Sequence, residues 1–133
     1  MTDSPKGNVL LVDDDKFLVD MYSMKFTNAH YRVQACLSAG DALEALRGGF
    51  APDAVIFDLV MPEQDGFSFL QILSGERLAR NAVLIALTNQ GNDAEKAKAE
   101  GLGTHRYIVK ARMIPSEVVT AVEEEIAKKR GTK

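Results

Sequence analysis

The chain has one cysteine in 133 residues, Cys36, so no disulfide can form within it. Cys36 sits in an apolar run and reads as a small buried hydrophobe rather than a reactive thiol. No stretch reaches the roughly 18 consecutive apolar residues that a membrane span requires. The opening segment, Met1-Thr2-Asp3-Ser4-Pro5-Lys6-Gly7, is polar and has no apolar signal core, which leaves a cytoplasmic location as the default. A large excess of either charge is also lacking, with 16 Lys and Arg against 19 Asp and Glu. A net charge of -3 gives no overall pull toward nucleic acid or an anionic membrane. Linkers, low-complexity tracts and internal repeats are missing too, so one domain over residues 1–133 is expected, with a core from about residue 7 to 129. What is present is ordinary for a globular domain: 46% hydrophobic and 26% charged residues, in a chain long enough for a real core. The basic end, Lys128-Lys129-Arg130-Gly131-Thr132-Lys133, reads as a helix terminus complementing its dipole, then a glycine stop.

Four apolar runs each end on a chemically active residue. Val9-Leu10-Leu11-Val12 ends on Asp13-Asp14-Asp15, Ala54-Val55-Ile56-Phe57 on Asp58, Ala82–Leu87 on Thr88, and Tyr107-Ile108-Val109 on Lys110. Short apolar runs of this kind read as buried strands of a parallel sheet. A fifth strand is predicted at Tyr31–Cys36, where polar and apolar residues alternate. Between the runs lie amphipathic segments. One follows Asp15 through Phe26, and a second opens at Ser38 with Asp41 three residues on and stops at Gly48-Gly49. A third starts at Asp65-Gly66 and is expected to stop at Ser74-Gly75; a fourth is capped at Asn92 and ends near Gly101. The last begins at Pro115 and buries Val118, Val119, Val122 and Ile126. Five strands alternating with five helices predict an α/β fold: a flavodoxin-like, doubly wound (βα)5 domain with a five-stranded parallel sheet in the order 2-1-3-4-5. The switch point then falls between the strands ending in Asp13-Asp14 and Asp58, and the polar strand ends share one crevice.

Each of these residues has an ordinary alternative. Asp14 or Asp15 can cap a helix, Asp58 can be a solvated loop carboxylate, Thr88 a strand-end cap, and Lys110 a surface lysine. Taken together the alternatives are weak, because all of these residues must sit at one edge of one sheet. Carboxylates held this close repel unless a cation joins them. Hard oxygen ligands with positions left open for water and phosphate suit Mg2+, or Mn2+ in its place. A pocket of metal, ammonium and hydroxyl suits a phosphoryl group, and a carboxylate can accept one as an aspartyl-phosphate. Asp58, alone at a central strand end, is the best candidate.

Val12-Asp13-Asp14, the stretch Asp58-Leu59-Val60-Met61-Pro62 with Asp65-Gly66, Thr88, and Tyr107-Ile108-Val109-Lys110 together resemble the receiver domain of two-component response regulators. The resemblance runs from about Gly7 to Lys129. It implies that Asp58 is the phosphoacceptor and that Asp13, Asp14 and Asp58 bind the metal together with the backbone carbonyl of Val60. Thr88 and Lys110 would bind the phosphoryl group, and Tyr107 would be an aromatic switch that moves inward with Thr88. Gly91 and Asn92 are expected to give the following loop its freedom. The implied partners are a sensor histidine kinase or a histidine phosphotransfer protein, and a downstream protein. Neither nucleic acid nor membrane is expected as a direct partner. The last two helices and the fifth strand form the implied output face, for a partner or a homodimer. Two positions depart from the family: Ala111 replaces the proline that usually follows the lysine, leaving the isomer of Lys110-Ala111 open, and Asn89 is larger than the usual neighbour of Thr88.

Three rivals share parts of this pattern. A receiver that binds partners without phosphorylation should lack a site residue, and none is missing. A haloacid-dehalogenase-type phosphatase would use an aspartate directly after the first strand, leaving Asp58 without a role. A flavodoxin-type carrier would need a Ser/Thr/Gly-rich phosphate loop where three acids stand.

Overall fold

The computed structural model describes residues 5–89 and 91–131. Its elements are β1 (Asn8–Val12), α1 (Lys16–Asn28), β2 (Arg32–Cys36), α2 (Ala39–Arg47), β3 (Ala54–Asp58), α3 (Gly66–Glu76), β4 (Val83–Thr88), α4 (Asp93–Gly101), β5 (Arg106–Val109) and α5 (Pro115–Lys129), with a short 3-10 turn at Lys110–Arg112. The strands form one parallel sheet in the order β2-β1-β3-β4-β5.

Alternation along the strands sorts the core into two layers. Leu10, Val12, Val55 and Phe57 pack toward α2 and α3. Val9, Leu11, Ala54 and Ile56 face α1 and α5, where they meet Phe26, Val118, Val122 and Ile126. Both faces are covered, so the central strands need apolar residues at every position, and β3 is buried throughout. Cys36 is buried, and that burial pushes its thiol up to about 11.

The helix starts follow their sequence signals. Asp15 caps α1, accepting from the Leu18 amide at 3.2 Å, which leaves Asp13 and Asp14 to other work. Ser38, Asp65 and Asn92 cap α2, α3 and α4 in the same way.

Two expectations are corrected or decided. Helix α3 does not stop at Ser74-Gly75 but runs to Glu76. A Cβ at Gly75 would meet nothing, so the glycine costs only its intrinsic penalty. The last turn is held by Arg47, whose guanidinium donates twice to Glu76, at 2.8 and 2.6 Å. The helix ends when Arg77 takes a left-handed conformation (φ 57°), and the Leu78 amide reaches back to the Leu73 carbonyl at 2.9 Å. Gly91 is also a place of close approach: a Cβ there would lie 2.7 Å from Val109 Cγ2 and 3.2 Å from the Tyr107 ring. No cis peptide bond occurs among the described residues, so Lys110-Ala111 is trans.

Candidate functional site

Strand register sets the site before any side chain is considered. Val12 pairs with Phe57, so Asp13 and Asp58 emerge side by side at the carboxyl edge. Asp58 pairs with Leu87, which places Thr88 one step further along β4, and Thr88 pairs with Val109, the residue before Lys110.

The carboxylates of Asp13, Asp14 and Asp58 converge: one oxygen from each lies within 4.8 Å of the others. Asp13 and Asp58 are each 3% exposed, whereas Asp14 is open to solvent. Asp13 accepts from the Asp15 amide at 3.0 Å, and Asp58 from the Val60 amide at 3.3 Å. Lys110 crosses the edge, its Nζ 2.8 Å from Asp13 Oδ2 and 3.4 Å from Asp58 Oδ2. Two buried carboxylates and a third exposed one thus face a single ammonium, an acidic surplus made only of hard oxygens. Such a set fits a small divalent cation, with room for water on the Asp14 side.

The electrostatics follow from this geometry. Burial raises the Asp58 carboxyl and the Asp13 charge adds to it, so that Lys110 and the Val60 amide only partly offset them and Asp58 stands at about 6. Burial alone would favour neutral Lys110, but its bond to Asp13 and the charges of Asp13 and Asp58 outweigh that and hold the ammonium above its ordinary value. At neutral pH the centre therefore contains an ionised, poorly solvated Asp58 beside a firmly charged lysine.

The stretch after β3 is shaped by packing. Leu59 and Met61 are buried, and Val60 is 65% exposed. Gly66 is indispensable here: a Cβ would lie 2.6 Å from the Asp58 carbonyl oxygen and 2.8 Å from Leu59 Cα.

Thr88 is buried at the end of β4, and its hydroxyl shares a hydrogen bond with Tyr107. The Tyr107 hydroxyl also donates to a Glu95 carboxylate oxygen and accepts from the Asn92 amide. Burial, then the Glu95 bond, raises the phenol, against the Asn92 and Thr88 bonds. The Tyr107 hydroxyl thus meets Thr88 at the end of β4 and Glu95 on α4. Asn89 is exposed.

Sequence reasoning missed two participants. Glu95 looked like a first-turn acid of α4, and nothing in the chain marks its carboxylate as a partner of Tyr107. Tyr22 looked like one more residue of an apolar helix face. It is buried on α1 close enough to the centre that, after burial itself, the charges of Lys110 and Asp13 act on its hydroxyl.

The pattern of the response regulator receiver domain matches residues 9–123, and the chain belongs to that family, the receivers of two-component signalling. Among curated relatives, a DNA-binding dual master transcriptional regulator of Synechocystis is 29% identical over 77% of this chain and 42% of its own length. A protein-glutamate methylesterase/protein-glutamine glutaminase of Syntrophomonas wolfei is 31% identical over 94% of this chain and 36% of its own. The chain thus spans less than half of the length of these two relatives. A CheY-like response regulator receiver domain protein from Methanospirillum hungatei has the same fold, with a TM-score of 0.85 at 20% identity, covering 98% of this chain and 100% of that one. No helix among the described residues is long and apolar enough to cross a membrane.

Proposed function

We propose that this chain is a phosphoacceptor receiver, one domain over residues 1–133, in which Asp58 accepts a phosphoryl group from a phosphohistidine. The donor is a sensor histidine kinase or a histidine phosphotransfer protein, and the setting is cytoplasmic. The observation that carries the reading is the Lys110 ammonium lying between Asp13 and Asp58, with Asp14 open beside them. A carboxylate oxygen of Asp58 attacks phosphorus, the P–N bond breaks, and the imidazole nitrogen leaves with the electron pair. Asp13, Asp14, Asp58 and the Val60 backbone carbonyl would hold Mg2+, or Mn2+, whose charge offsets that of the phosphoryl oxygens when it is bound.

Phosphorylation replaces one negative charge by about two and adds acceptor oxygens. Lys110, already at the carboxylate, bonds one of them, and the Thr88 hydroxyl turns to another. That removes its bond with Tyr107, whose half-buried ring then moves inward and leaves Glu95. The face of α4, β5 and α5 is thereby changed for a downstream protein or a second copy of the chain. The chain is a signalling module that acts on its own phosphoryl group and on no separate substrate.

The test is incubation with acetyl phosphate, with and without Mg2+, followed by mass measurement. Wild type should gain one phosphoryl group only with the metal, and Asp58→Ala should gain none. Absence of added mass on wild type, or undiminished mass on Asp58→Ala, refutes the assignment.

A further inference from the structure

The opposite end of the sheet carries a second concentration of charge, of the other sign. Where α3 ends and β4 begins, a cavity of about 350 Å3 is floored by Leu73, Leu84 and Leu102. Its remaining lining includes Arg77, Arg80, His105 and Lys129, and no acidic residue. They come from three places in the chain: the turn after α3, the segment before β5, and the last turn of α5. Two left-handed residues, Arg77 (φ 57°) and Ala79 (φ 54°), bend that turn and bring both guanidinium-bearing residues to one cavity.

Seven of the fifteen described lysines and arginines are paired with carboxylates, and the three that line this cavity are not among them. Lys6, Lys16, Arg47, Arg106, Lys110, Lys128 and Arg130 all have carboxylate partners. Arg77, Arg80 and Lys129 have none among the described residues. The acids nearby are already used. Glu76 is held by Arg47 through two bonds, and Glu125 is shared between Arg106 and Lys128. His105 adds a fixed donor: its Nδ1 accepts from the Leu84 amide at 2.9 Å, so the ring proton is on Nε2. Burial and then the Lys129 charge keep this imidazole below its ordinary value, so it is a neutral donor at pH 7.

We propose that this basal cavity binds a small organic phosphate, a nucleotide-sized anion whose ring system lies on the leucine floor and whose phosphate is taken by Arg77, Arg80, His105 Nε2 and Lys129. Charge complementarity selects the anion, and paired guanidinium groups favour the planar, two-pronged bonding that phosphate accepts. The cavity volume is at the lower end for small-molecule sites, and its mixture of apolar floor and few polar groups is the usual one. Inorganic phosphate alone would forgo the floor. The site does not depend on the acidic centre, which lies at the other edge of the sheet.

The experiment is calorimetric titration of the whole chain with ADP, and separately with inorganic phosphate, in buffer containing EDTA. ADP should saturate one site with a Kd below about 1 mM, at least tenfold tighter than phosphate. Arg77→Gly removes a guanidinium while keeping a residue suited to the left-handed backbone, so the variant folds. It should weaken ADP about tenfold, as should Arg80→Gln. Arg32→Gln, an exposed cation on β2 far from the cavity, should leave the affinity unchanged and controls for net charge. Absence of saturable ADP binding, phosphate binding as tightly as ADP, or equal affinity in Arg77→Gly and Arg80→Gln would each overturn the proposal.

Discussion

In metal-free buffer at pH 8, Asp58→Asn should unfold at a higher urea concentration than the unsubstituted protein. Asp58 is 3% exposed and stands at about 6, above its ordinary 3.8, chiefly because of burial and then the Asp13 charge. The folded state thus binds this proton more tightly than the unfolded state does. The stability that the protonated group contributes is complete below about pH 4 and is lost as pH rises through about 6. The difference between 3.8 and about 6, at about 1.4 kcal/mol per pH unit, makes ionised Asp58 cost roughly 3 kcal/mol. Asparagine has the same shape without the charge, and its carbonyl oxygen still accepts from the Val60 amide. It should therefore stabilise by about 2–3 kcal/mol at pH 8, a rise of about 10 °C in Tm for a domain of this size. At pH 4 the two proteins should differ by less than about 1 kcal/mol. Urea melts at both pH values, with EDTA present, read this directly. A gain of the same size at both, or no gain at pH 8, would mean that the Asp58 carboxylate is better solvated or better paired than its burial implies.

Removing the ammonium should act in the opposite direction: Lys110→Met leaves Asp13 and Asp58 facing each other uncompensated, with a loss of about 3–5 kcal/mol at pH 7, and a carboxyl NMR titration should find Asp58 above about 6. Added Mg2+ should raise the Tm of wild type in a saturable way that EDTA reverses, and should raise that of Asp13→Asn much less; equal shifts would exclude Asp13 from the metal set. Gly66→Ala forces a Cβ to 2.6 Å from the Asp58 carbonyl oxygen and should cost about 2–4 kcal/mol in a urea melt. Arg77→Gly relieves a left-handed arginine at the end of α3 and should stabilise by about 0.5–1 kcal/mol in the same melt.

Most of the fold was legible because its signals are local. Apolar runs bounded by Gly, Pro or caps mark the strands, and Ser38, Asp65, Asn92 and Pro115 mark helix starts whose bonds form within three or four residues. The failures are instructive in the same terms. Ser74-Gly75 looked like a stop because propensity is local, whereas the last turn of α3 is secured from α2 by Arg47, far away in the chain. At Gly91 the sequence shows a missing side chain but not the Val109 and Tyr107 side chains that lie where a Cβ would go. Tyr22 and Glu95 gave no signal, since each gains its role from a residue on another element.

By itself the sequence determined that Asp13, Asp14, Asp58, Thr88 and Lys110 stand at the ends of buried strands, because alternation and apolar runs fix where a parallel strand ends. Only the tertiary structure decided which oxygen meets which ammonium. Strand register set Asp13 beside Asp58, and burial raised the Asp58 carboxyl to about 6. Packing across elements joined Tyr107 to Thr88 and Glu95 and brought Arg77, Arg80, His105 and Lys129 to one cavity. The reason is one of range. Propensity and patterning act over a few residues, whereas desolvation and charge pairing depend on what the fold places within a few ångströms.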